Sequence, residues 1–181
     1  MYIASQKRKE NIAEYLLYMW QIEDLIRAND MDMNLIEKNI IEPSRLEPQM
    51  AAQLRDWYES LIDMMRREEV TTSGHLQINR NAMGQLATFH NTLLNDPAEA
   101  DYHKQFYKTL PFIVELRAKA GENKVGEIET CFNFLYGILL MRLQHKEISK
   151  ETQDAFVEIS RLVAMLAAKF HEAENKPDPE V

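Results

Sequence analysis

One cysteine stands in 181 residues, so the chain can form no internal disulfide. Cys131 is followed by Phe132, Phe134 and Leu135, a setting that predicts a buried thiol acting as a small hydrophobe in a reducing compartment. Glycine and proline are scarce, 5 and 6 in number, which leaves few turns and favours long elements. No glycine-rich phosphate loop is present, because Gly121 and Gly126 flank a helix start without the accompanying lysine pattern; this excludes NTPase, kinase and dinucleotide chemistry. The longest apolar stretch, 131–141, is broken by Asn133 and is too short to span a bilayer. Near the N-terminus, Asn11 and Glu14 interrupt what would have to be the apolar core of a signal peptide. These absences predict a cytoplasmic protein with no membrane partner.

Metal-ligand spacing is missing as well. Helical bundles hold metals with a glutamate three residues before a histidine, or with two histidines one turn apart. His75, His90, His103, His145 and His171 provide neither pattern, so the sequence predicts no metal and no cofactor. Acidic residues outnumber basic ones, 29 to 21, for a formal charge of -8, a balance that repels a phosphate backbone unless cations cluster. The one cluster, Lys7-Arg8-Lys9, points in three directions on a helix and forms no continuous basic stripe, so nucleic acid is not expected as a partner.

What the sequence has is apolar periodicity of three and four, with none of the alternation of a half-buried strand. It predicts an all-α fold: a single-domain bundle of about six helices over 1–174, mostly antiparallel neighbours, with a frayed tail at 175–181. Helix one is expected over 5–28, and a short helix after Asp32 carries Leu35, Ile36 and Ile40. Ser44-Arg45-Leu46-Glu47 has capping-box spacing before a helix that starts at Pro48 and should fade near Val70. A third helix is expected over 75–94 and a fourth from Asp96-Pro97-Ala98-Glu99, with a kink or restart near Thr109 forced by Pro111 and an end at Gly121. The fifth, 124–145, is apolar around most of its circumference. The sixth follows Ser149.

The segment 6–27, QKRKENIAEYLLYMWQIEDLIR, resembles the start of a family of uncharacterised all-helical proteins from Bacteroidetes, and the likeness extends over most of the chain. The resemblance implies a helical fold and a bacterial cytoplasmic setting. It implies no catalytic residue.

Candidate functional residues come from polarity in the wrong place. Glu23 and Arg27 project from the same arc of helix one as Ile12, Leu16 and Met19 and have the spacing of an i,i+4 ion pair. His90 falls in the stripe of Met83, Leu86 and Leu93, where a hydrogen-bonded core histidine is the ordinary occupant. Asn133, Gly137 and Gln144 share one strip of helix five, and a glycine there would allow another backbone to pack closely. Helix one is apolar over more of its surface than one neighbour covers, so it lies deep in the bundle or meets a second subunit. Together with the Met64-Met65 pair, this favours a non-catalytic protein acting by self-association or with a protein partner. The alternative is a ligand-binding or enzymatic bundle in which Glu23, Arg27 and His90 line one pocket.

Overall fold

A computed structural model describes residues 2–121 and 125–176. The described residues are helical, without a strand, and form eight α-helices rather than six: α1 (Tyr2–Glu10), α2 (Ile12–Ala28), α3 (Met33–Ile36), α4 (Pro48–Arg67), α5 (Gln77–Asn95), α6 (Ala100–Lys119), α7 (Glu127–Leu143) and α8 (Lys150–Glu174). Among the described residues no helix is long and apolar enough to cross a membrane. By packing, the chain divides into two compact units, one made of 1–10 and 14–81, the other of 11–13 and 82–181.

The extra helices arise from local side-chain competition. The expected first helix is divided at Asn11, whose Oδ1 accepts the Ala13 amide at 3.0 Å and so caps α2. After Asp32, which caps α3 by accepting the Asn34 amide, the chain widens into a π turn (Glu37–Ile41) and then tightens into a 3-10 turn (Glu42–Ser44). This geometry replaces the expected capping box. Ser44 Oγ turns back to donate to the Ile40 carbonyl, Arg45 adopts a left-handed φ of 48°, and α4 starts at Pro48 without a side-chain cap. Asp96 accepts the Ala98 amide in a turn, so α6 begins at Ala100 and not at Asp96.

Pro111 does not end or restart α6, which runs unbroken through it. The ring lies on the exposed side of the helix, where a carbonyl left without its amide partner can be hydrated, and a helix curved convex toward water tolerates the missing bond. Gly121 terminates the helix with φ 62°, as the C-terminal position requires. Lys124, the expected start of the next helix, and the tail 177–181 lie outside the described residues.

In the first unit α3 and the π turn pack on α4, and Leu16, Ile26, Ile36 and Met65 are buried. Met65 is thus core and Met64 half-buried, which removes the methionine pair as an exposed surface. Helix α2 lies deep, with Leu16 at 0% and Trp20 at 3% exposure. In the second unit α6, α7 and α8 all touch one another; Phe132, Ile113, Ile159, Leu162 and Leu166 fill the centre, and Phe89 meets Phe170 edge-on at 5.4 Å.

Gly137 on α7 has no neighbour within 4 Å of where a Cβ would stand, so no backbone approaches it. Its cost is then only the entropy glycine loses in a helix. Gly137→Ala is expected to raise the unfolding free energy by about 0.5–1 kcal/mol, read from urea titration; a clear loss would show that the space is filled.

Candidate functional site

In the first unit the connection between α4 and α5 is held onto α2 by two side chains. Glu23, 1% exposed, accepts at one carboxylate oxygen from the Leu76 amide at 2.9 Å and from Asn79 Nδ2 at 2.7 Å, and at the other from His75 Nδ1 at 2.6 Å. Asn79 Oδ1 in turn accepts from the Tyr15 hydroxyl at 3.0 Å. The His75 ring stacks on Trp20 with centroids 4.2 Å apart. Leu76 immediately precedes α5, so Glu23 supplies a negative charge where the helix leaves amides unsatisfied and its dipole is positive. Glu68 does the same for the Gln77 amide.

Arg27 is not the partner of Glu23. Its guanidinium donates to Asp24 at 2.8 Å, to the Val70 carbonyl at 3.0 Å and to the Gly74 carbonyl. One helical turn from Glu23, it grips the same loop at Val70 and at Gly74, the residue before His75. The i,i+4 pair expected from spacing fails because loop carbonyls and the Asp24 carboxylate are better placed for the guanidinium, while amides and His75 saturate Glu23. Gly74 has φ 85°, a conformation that side chains resist, and this turns its carbonyl toward Arg27.

His90 belongs to the second unit. It is 2% exposed, with Nδ1 at 2.6 Å from the Tyr102 hydroxyl and its ring edge-on to Phe106 at 5.0 Å. Nε2 has no hydrogen-bond partner; the nearest charge is the Glu127 carboxylate at 3.5 Å, at the outer edge of bonding distance. Burial pushes the histidine below its ordinary pKa of 6.5, and Glu127 opposes that shift. Cys131 is fully buried, and burial pushes its thiol up to about 12, with Glu127 adding to the effect. Tyr102 is raised by burial too. All three are therefore neutral near pH 7, and the thiol is no nucleophile.

The family model described as "Domain of unknown function (DUF4924)" matches residues 1–177. The chain belongs to this family. No curated protein and no solved structure matches it.

In this DUF4924 chain, Glu23 and Arg27 share the first unit and His90 lies in the second. Among the described residues no three histidine, cysteine or carboxylate side chains are grouped to hold a metal ion. The Glu23–His75 contact is the arrangement nearest to a general base, since a buried carboxylate orients an imidazole that is 29% exposed. Trp20 covers one face of that ring, and no described contact brings a hydroxyl or thiol to it. The sequence pointed to Glu23 but not to His75 or Asn79, which are 52 and 56 positions away. It also missed Tyr102 and Glu127 beside His90. No local spacing announces such contacts.

Proposed function

We propose that the protein is a non-catalytic interaction module, working by self-association or with a protein partner in a bacterial cytoplasm. The observation that carries this reading is the outer face of α6. Tyr107 is 66% and Val114 58% exposed, and Pro111 between them is exposed as well. These residues form an apolar stripe at spacing four and three, which a solvated helix face has no reason to hold. The polar cluster around Glu23 supports the same reading from the other side: the carboxylate's two oxygens are occupied by three donors of its own fold.

The alternative, a bound small molecule held by Glu23, Arg27 and His90, is separated by native mass spectrometry of the purified protein. The expected spectrum shows the mass of the chain alone or of its oligomers. A stoichiometric small molecule retained by the monomer, and lost on substitution of Glu23, Arg27 or His90, would overturn the interaction reading.

A further inference from the structure

Resting on that reading, we infer that the partner of the α6 stripe is α6 of a second copy, packed antiparallel across a two-fold axis. Tyr107, Pro111, Val114 and Ala118 are spaced four, three and four, which is the seam spacing of paired helices, and all four are exposed. Antiparallel pairing about the midpoint of the stripe sets Tyr107 against Ala118 of the other copy and Pro111 against Val114, each large residue facing a smaller one. Self-complementarity of this kind is what a two-fold interface demands.

Charge selects the same orientation. Along one flank of the seam stand Lys108 and Glu115, one heptad apart and 57% and 62% exposed. In the antiparallel arrangement that flank meets itself, so Lys108 of each copy lies near Glu115 of the other, and two opposite-charge contacts form symmetrically. A parallel arrangement would bring this flank against Leu110 and Arg117 instead, and would offer Lys108 no such partner. The present contacts of these residues, Lys108 with Glu158 and Glu115 with Lys119, are exposed surface pairs that exchange partners at little cost.

The flank opens onto a hollow of about 430 Å³ between α6 and α8, lined by Lys108, Pro111, Phe112, Asp154, Val157 and Glu158. Val157 is 42% exposed there, and it widens the apolar surface on the side where the two copies meet. The stripe spans about 16 Å of helix, so the interface is at the small end of specific ones and the dimer is a weak, concentration-dependent one.

Sedimentation velocity over a wide concentration range tests the arrangement. Wild type is expected to pass from monomer to dimer, and K108E and E115K, which each place like charges across the axis twice, to weaken the dimer by about tenfold or more. The double variant K108E/E115K restores opposite charges between copies but not the Lys108 contact with Glu158, so its recovery reads the intermolecular pairs alone. Tyr107→Ser, at a position 66% exposed, is expected to abolish the dimer while leaving the helical circular dichroism and the melting temperature unchanged. A dimer indifferent to K108E, E115K and Tyr107→Ser overturns the α6 geometry and leaves self-association by another face. A chain monomeric at every concentration overturns the second copy as partner and leaves the interaction reading to a different protein.

Discussion

Glu23→Ala is expected to lower the unfolding free energy by about 3–5 kcal/mol, the cost of leaving buried partners of a charged group without it. The Leu76 amide, Asn79 Nδ2 and His75 Nδ1 all meet that carboxylate, and at 1% exposure no water replaces it readily. Glu23→Gln should cost only about 1–2 kcal/mol. The amide oxygen can still accept from Leu76 and Asn79, and the amide nitrogen can donate to His75 once the imidazole carries its proton on Nε2. Arg27 is untouched in both variants, because its partners are Asp24, Val70 and Gly74. Urea titration followed by circular dichroism measures the difference. Equal losses for the two variants would show that the negative charge itself, rather than its hydrogen bonds, holds the α4–α5 connection in place.

The second large effect is expected around His90, where Tyr102→Phe removes the hydroxyl at 2.6 Å from Nδ1 and leaves a buried polar atom unsatisfied, at about 1–3 kcal/mol. The same histidine makes stability fall with acid. Its folded pKa lies below the ordinary 6.5 because burial disfavours the charged ring. Above the unfolded value both states are neutral, and His90 contributes no slope. As pH falls below the unfolded value, the unfolded chain takes up a proton that the folded chain refuses, and stability drops by up to about 1.4 kcal/mol per pH unit until the folded pKa is reached. Glu158 adds a separate loss at lower pH, since Lys108 and Gln105 hold its carboxyl below the usual range. His90→Phe is expected to flatten the upper part of the profile and leave the lower part unchanged. A slope just below pH 6.5 that survives this substitution would assign it to another group.

Local physics reaches as far as local contacts. Ser149 caps α8 by accepting the Thr152 amide, Pro48 opens α4 and Gly121 closes α6, each for a reason contained within a few neighbouring residues. The capping box at Ser44 and the start at Asp96 fail where two local arrangements compete. A serine can bond backward to a carbonyl as well as forward to an amide, and an aspartate can close a turn as easily as a helix. Glu23 and His90 were legible as polar residues on apolar arcs, because helical periodicity alone places them there. The partners that give them meaning were not.

By itself the sequence determined the all-helical class, the apolar faces and the neutrality of its one cysteine, since each follows from spacing along 3.6 residues per turn or from immediate neighbours. Only the tertiary structure decided that Glu23 and Arg27 both act on the α4–α5 loop instead of on each other, and that Met65 is core. It alone showed that α2 buries Leu16, Trp20 and Ile26 while α6 leaves Tyr107 and Val114 exposed. These outcomes depend on which backbone groups another segment brings within about 3 Å, and that distance is set by packing among residues tens of positions apart.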